Sequence, residues 1–243
     1  MIKKKLLIKD YNTKESLLFV DRGREEAAYA NAYVAAAVNS KYKKKIYLLS
    51  RFENQNLLEV HKKLGFKNFI DVSFKKNFFN NIILIKSFFI LLICLINLKT
   101  RGFFWFINHF KIDNVLIGDL IYDTYINSNS NYLNPKIDFF FIKLLFSAIF
   151  KTILIKNYIL KYNVKIIITG TEHYSYSSGL AIRISTYLKG IRNFMWRSPG
   201  IGSYIEIVEL NKRTKETGYN SLQDKVISKR FKKFNISQKK LNK

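Results

Sequence analysis

Short apolar runs alternate with helical segments over the first 72 residues, and this alternation limits the chain to few folds. The run LLFV at 17–20 predicts a buried strand, and the alanine-rich segment 24–38, with glutamates in its first turn, predicts a helix. A second strand is predicted at 46–49, a helix at 54–64 and a third strand at 67–72. Strands joined by helices pair in parallel, so the pattern predicts an α/β fold with a Rossmann-like parallel sheet flanked by helices.

The same pattern returns near the end of the sequence. Residues 164–169 (VKIIIT) predict another strand, which leads into a polar loop at 170–179 and then a helix to about residue 188. Residues 192–196 predict a last short strand. We therefore expect a single Rossmann-like domain over residues 1–205.

Between these portions lies an apolar middle. Residues 82–98 (IILIKSFFILLICLINL) are interrupted only by Lys86, Ser87 and Asn97. A transmembrane helix needs about 20 such residues, so three interpretations stay open: a core-facing helix, a helix that dips into a membrane, and a true span. Residues 138–162 predict a second apolar helix with lysines along one side.

The charge of the chain is strongly basic. There are 42 Lys and Arg against 17 Asp and Glu, a formal net charge of +25, which favours an anionic partner such as a phosphorylated substrate, a nucleic acid or an acidic membrane. No helix-turn-helix, zinc or ribonucleoprotein motif is present, so we do not expect nucleic acid. Cys94 is the single cysteine, which fits a reduced, cytoplasmic setting.

Residues 206–243 differ in composition from the rest. From residue 211 onward there are eleven Lys and Arg against two acids, Glu216 and Asp224. On a helix, the apolar side chains of this segment would share one face, so a basic amphipathic tail or linker is predicted; these side chains are Leu222, Val226, Ile227, Phe231 and Phe234. The tail is either packed on the domain, a surface anchor, or a connection to another domain.

Two polar stretches follow predicted strands, where parallel sheets bind their ligands. Arg22 and Gly23 come after the first strand, but neither a G-x-G-x-x-G nor a P-loop motif is present, and a plain turn is the alternative. Glu172, His173 and Tyr174 lie in the loop after the strand at 164–169. Histidine is the usual general base near neutral pH, although a lone loop histidine is more often structural.

A third stretch is IGDLIYDTYI at 117–126. Gly118 and Asp119 are typical of a helix start. On that helix Asp119 and Asp123 would lie one turn apart with Tyr122 beside them. Such a pair can share a proton, bind a cation or hold sugar hydroxyls, and helix capping explains the pattern equally well.

IGDLIYDTYI and KIIITGTEHYSYSSGLAIRISTYLKGIRNFMW resemble the amino-terminal half of bacterial capsule and surface polysaccharide biosynthesis proteins, which are glycosyltransferase-like proteins of the GT-B type. The resemblance covers roughly residues 17–200, and its most specific motif is the Gly-Asp-Leu-Ile-Tyr-Asp at 118–123. It implies glycosyl transfer with catalytic candidates Asp119, Asp123 and His173, and with substrate-binding candidates Arg22, Gly23, Gly118, Tyr122, Glu172 and Tyr174.

In the GT-B family two Rossmann-like domains face each other, and the carboxyl-terminal one holds the nucleotide-sugar donor. The resemblance therefore implies that this chain is the acceptor-side half, which we expect to be inactive without a donor domain on a separate chain. No cofactor is expected beyond the nucleotide-sugar co-substrate, and no metal-binding residues are predicted. The expected partners are a polysaccharide or lipid-linked glycan acceptor and the inner face of the cytoplasmic membrane. The alternative is a non-catalytic module that binds a membrane or a partner chain.

Overall fold

The computed structural model describes residues 8–21, 25–50, 55–73, 81–128, 135–170, 176–197 and 205–210. Helices and strands alternate along it as the sequence predicts. In chain order the elements are β1 (Ser16–Val20), α1 (Glu25–Tyr42), β2 (Lys45–Ser50), α2 (Gln55–Lys63), β3 (Asn68–Asp71), α3 (Asn81–His109), β4 (Lys111–Ile112), β5 (Val115–Leu116), α4 (Gly118–Ser128), α5 (Phe139–Lys161), β6 (Val164–Thr169), α6 (Tyr176–Thr186), β7 (Arg192–Arg197) and β8 (Glu206–Glu209).

Six strands form one sheet in the order β3-β2-β1-β6-β7-β8. The first five are parallel, and β8 runs antiparallel to β7. The predicted Rossmann-like α/β fold is therefore confirmed. Since β8 and the buried Leu210 belong to the sheet and its core, the domain extends past the boundary expected at residue 205. The basic tail from residue 211 lies outside the described residues.

The two faces of the sheet are covered by different layers. Side chains alternate along each strand, so Leu17 and Phe19 point to one face while Leu18 and Val20 point to the other. The first face packs on α1, whose alanines Ala32 and Ala35 are fully buried. Small side chains let this helix lie close to the strands.

The second face is covered by α5, a 23-residue helix with twelve buried residues. Its N-cap Asp138 accepts a hydrogen bond from Phe141 N at 2.7 Å, and burial continues along the helix from Phe141 to Ile159. The helix predicted at 138–162 is therefore confirmed. The flanks of α5 contact α4 and α6 as well as the sheet, so the middle of the helix is enclosed on several sides.

The long apolar helix α3 packs on α5 as a further layer and reverses direction within its own length. Gly102 has φ 74° and ψ 179°, outside the helical region, and separates two helical arms. A straight helix would hold Ile90 and His109 about 28 Å apart, yet both line one cleft of about 260 Å³. The predicted helix at 82–98 forms the first arm.

The first arm of α3 runs antiparallel to α5. At one end, Lys86 and Lys156 both reach the carboxylate of Asp113 in the β4–β5 turn, at 3.4 and 3.1 Å. Just past the other end, at the start of the second arm, the ring of Phe103 packs on that of Phe141 with 5.3 Å between centroids. Contacts at both ends fix α3 along the whole length of α5.

Helix α4 begins where it crosses the second arm of α3. Gly118 lies directly against the backbone of Phe106, and an added Cβ would overlap the Phe106 carbonyl oxygen and lie 2.8 Å from its carbon. Backbone cannot swing aside as a flexible side chain can, so this position requires glycine.

We expect Gly118→Ala to lower the free energy of unfolding by about 3 kcal/mol through overpacking, a loss of roughly 6–12 °C in Tm. The matched control is Gly170→Ala, whose Cβ would make only ordinary 3.8 Å contacts with the Trp196 ring. Thermal unfolding followed by circular dichroism measures both variants. Equal Tm values for the two would contradict the close approach of α4 to α3.

Candidate functional site

The sheet order creates a crevice between β1 and β6. The chain leaves β1 toward β2 on one side and leaves β6 toward β7 on the other, so the two connections diverge at the carboxyl ends of the central pair. Val20 and Thr169 end these strands as direct neighbours. Open α/β sheets bind ligands at such a divergence, which makes this edge the first place to look for a site.

A buried polar cluster lies beside the crevice, around Asp21. Its carboxylate accepts hydrogen bonds from Asn31 Nδ2 at 2.7 Å and Ser50 Oγ at 3.1 Å, and His61 Nε2 lies 3.2 Å away. All four side chains are buried, and His61 is completely enclosed. With both oxygens engaged, Asp21 fixes the end of β1 to β2, α1 and α2.

Not every polar atom of this edge is satisfied. Thr169 Oγ1, at the end of β6, and His61 Nδ1 are buried without a hydrogen-bond partner among the described residues. Unpaired buried polar atoms are rare in folded proteins. Thr169 Oγ1 is such an atom at the carboxyl end of β6, and the Thr169 side chain is completely buried.

The sequence patterns do not predict the Asp21 cluster. Asp21 and Ser50 carried a usable signal, because both are polar residues at the ends of buried strands. Asn31 and His61 carried no such signal. They lie on helices, 10 and 40 residues away from Asp21 in the sequence, and only the fold brings them to its carboxylate.

The α4 stretch holds two acids with different surroundings. Asp119 lies in the first turn of α4, as predicted. Its carboxylate accepts two hydrogen bonds from Arg183, from Nη1 at 3.0 Å and from Nη2 at 2.7 Å. Arg183 also donates to Leu116 O at 3.2 Å. Only 9% of the Arg183 side chain and 30% of the Asp119 side chain are exposed. Such a bidentate pair joins α4 to α6, so Asp119 has a structural role.

Asp123 lies one turn further along α4 and is exposed. Partial desolvation and then the negative charge of Asp119 raise the pKa of the Asp123 carboxyl, while Arg183 opposes this shift. A raised pKa makes a carboxylate a better proton acceptor near neutral pH. Of the two acids, Asp123 is the better candidate for a general base.

Helix α4 runs toward the side of the carboxyl edge of the sheet, with Asp123 at its midpoint. Helix α5 leads directly into the start of β6, so its beginning at Asp138 is on the carboxyl side. Tyr125 Oη lies 3.1 Å from Asp138 Oδ2, which places the second half of α4 on that side too. Tyr122 is half-buried beside Phe103, with 5.8 Å between ring centroids.

The structure thus brings four predicted residues together on one helix: Gly118, Asp119, Tyr122 and Asp123. The other five predicted residues lie outside the described residues, and these are Arg22, Gly23, Glu172, His173 and Tyr174. Among the residues that are described, no group of three His, Cys, Asp or Glu could hold a metal ion. Burial raises the pKa of the Cys94 thiol to about 12, so this thiol stays protonated.

Comparisons of the chain with protein-family models, curated proteins and solved structures found no match. Two kinds of observation bear on the function of the chain. One is the geometry of the sheet edge and of α4, and the other is the set of motifs in the sequence.

We expect Asp119→Asn to cost about 2–3 kcal/mol of folding free energy, because it leaves the buried Arg183 guanidinium without its counter-charge. Asp123→Asn is the matched control on the same helix and should leave stability at pH 7 unchanged or slightly higher. Urea unfolding measures both. An Asp119→Asn variant as stable as the wild type would contradict the structural role of the pair.

The same Asp123→Asn variant should show a characteristic pH dependence. Since the folded-state pKa is above the unfolded value, Asp123 contributes stability below the unfolded pKa and loses it as the pH rises through the folded pKa. The stability of the wild type relative to the variant should therefore fall between about pH 3.5 and pH 7. A relative stability that rises over this range would show that the pKa is lowered instead.

Proposed function

We propose that this chain is the acceptor-side half of a GT-B-type glycosyltransferase that builds capsule or surface polysaccharide. The observation that carries the proposal is the position of Asp123, an exposed carboxylate with a raised pKa on the side of the domain where the Rossmann-like sheet opens. Its motif, Gly118 to Asp123, is also the one that resembles the polysaccharide family most specifically.

Glycosyl transfer requires a base that takes the proton from an acceptor hydroxyl as that oxygen attacks the sugar. In this proposal Asp123 is the base, and Tyr122 beside it contributes a ring on which a sugar can stack. Asp119 acts on the reaction only by holding α4 against α6 through Arg183. His173 stays a second candidate base, and it lies outside the described residues.

The donor half of the reaction requires other groups. Departure of a nucleoside diphosphate needs cationic or N–H donors around its phosphates, and we propose that a second domain or chain supplies them. Arg22 and Gly23, after β1, and Glu172 and Tyr174, after β6, follow the two strands that flank the crevice, and substrate binding by these four residues stays a prediction.

A second candidate is a non-catalytic module that binds a membrane or a partner chain. The observation that favours it is the apolar surface of α3, which exposes Ile82 at 80% and Ile96 at 66%. In that case the Asp123 carboxylate would have no chemical role.

In the test, the gene for this chain is replaced by variant genes in the cell that expresses it. The amount of surface polysaccharide and the amount of this protein are then measured. Asp123→Asn should lower polymer at least about 100-fold, the usual contribution of a general base, without changing protein level. Asp119→Asn should lower polymer and protein level together. Glu59→Gln is the control, because Glu59 is exposed on α2 and pairs with Lys62 of the same helix.

Normal polymer from the Asp123→Asn cell would remove Asp123 from catalysis. Normal polymer from a cell that lacks the whole chain would overturn the glycosyltransferase proposal itself.

A further inference from the structure

The first arm of α3 has an outward face without the polar residues of an ordinary surface helix. Seven large apolar side chains are exposed on it, with exposures from 42% to 80%, and they are Ile82, Ile85, Phe88, Phe89, Leu92, Ile93 and Ile96. An amphipathic helix on a water-soluble domain carries polar residues there. The one charged side chain between residues 82 and 96 is Lys86, which reaches sideways to Asp113.

The opposite face of the same arm packs into the protein core. Ile83, Leu91, Cys94 and Leu98 are buried, and Ser87 Oγ satisfies itself by donating to Ile83 O at 2.6 Å. The helix is therefore apolar all round, with one half against the protein and the other half open. Exposed apolar surface of this extent marks an interaction site.

Two more large apolar side chains are exposed near the reversal at Gly102. Phe104, just after it, is 78% exposed, and Phe139 at the start of α5 is 82% exposed. The two regions are adjacent, because Phe103 packs on Phe141. We call the seven side chains of the first arm together with Phe104 and Phe139 the apolar face.

Basic residues border the apolar face. Lys99 and Arg101 are exposed at its far end, Lys136 is exposed just before α5, and no acid occurs between residues 81 and 101. The whole chain has a formal net charge of +25. An apolar strip bordered by cations matches the interface of an anionic bilayer, where acyl chains lie beneath phosphate groups.

The packing also fixes how such a helix would sit. Among the described residues, α3 is the one helix long and apolar enough to cross a membrane. Its inner face, however, contacts α5 and α4 and belongs to the main core. Crossing the bilayer would expose that core, so α3 can meet lipid only lengthwise, with its axis in the membrane plane.

We propose that the apolar face docks on an anionic lipid bilayer as an in-plane anchor. The Ile and Phe side chains enter the boundary between headgroups and acyl chains, and Lys99 and Arg101 lie at the phosphates. The sheet is then parallel to the membrane, and its carboxyl edge opens sideways along the lipid surface. This inference does not rest on the glycosyltransferase proposal.

The test is flotation of the full chain with phosphatidylcholine vesicles, with and without phosphatidylglycerol. We expect binding that requires phosphatidylglycerol and weakens with salt. Ile85→Asp combined with Phe89→Asp should weaken binding at least about tenfold, because two apolar side chains no longer leave water. The matched control is Tyr29→Asp with Tyr33→Asp, two exposed aromatic residues on α1, which should bind as the wild type does.

A second measurement gives the depth. Phe89→Trp should show additional fluorescence that lipids brominated near the headgroup quench most strongly, as expected for an in-plane helix. Strongest quenching by lipids brominated near the chain ends would show that α3 enters the bilayer centre and would overturn the in-plane arrangement.

Three outcomes would overturn the proposal. The wild type could fail to float with phosphatidylglycerol vesicles, or the double α3 variant could float as well as the wild type. In the third outcome, the lipid-free wild type sediments as a dimer and the double α3 variant as a monomer, and neither protein floats with the vesicles. The apolar face would then be an interface between two copies of the chain.

Discussion

The packing of α5 between the sheet and α3 determines most of the other features of the domain. Phe141, Leu145, Ile149 and Phe150 are almost completely buried, and this helix covers one face of the sheet together with α6. Helix α3 packs on α5 as a further layer. A helix in an outer layer has one side without protein, which is why α3 exposes apolar side chains that a two-layer arrangement would have buried.

Polar contacts then hold the elements around this apolar stack in register. Asp113 joins α3 to α5, Asp119 joins α4 to α6, and Asp21 joins β1 to its neighbours. Each of these carboxylates has its oxygens occupied by donors. Asp123 differs from these three because it is exposed and because the pKa shift favours its protonated form, so it keeps the capacity for chemistry.

Local patterns explain how much the sequence could predict. The runs around Leu17 and Ile166, the alanines of α1 and the cap at Asp138 each contain their signal within a few residues, and the strands and helices predicted there are confirmed. Asp119 likewise occupies the first turn of its helix as predicted.

Other features depend on residues far apart in the sequence. Asp119 and Arg183 are 64 residues apart, so the pair that occupies Asp119 could not be predicted from the spacing of the two acids. The reversal at Gly102 lies between two apolar helical segments, and periodicity continues on both sides of it. Strand β8 was not predicted, because its sequence EIVE is short and only half-buried.

Lysine cross-linking of the full chain with a short amine-reactive linker, followed by mass spectrometry, tests the packing of α3 on α5 most directly. Antiparallel packing of α3 on α5 brings Lys86 and Lys156 to the carboxylate of Asp113, so we expect a prominent Lys86–Lys156 cross-link. Lys143, about 20 Å further along α5, should not link to Lys86. A Lys86–Lys143 cross-link in place of Lys86–Lys156 would contradict the layered arrangement, and with it the outward direction of the apolar face.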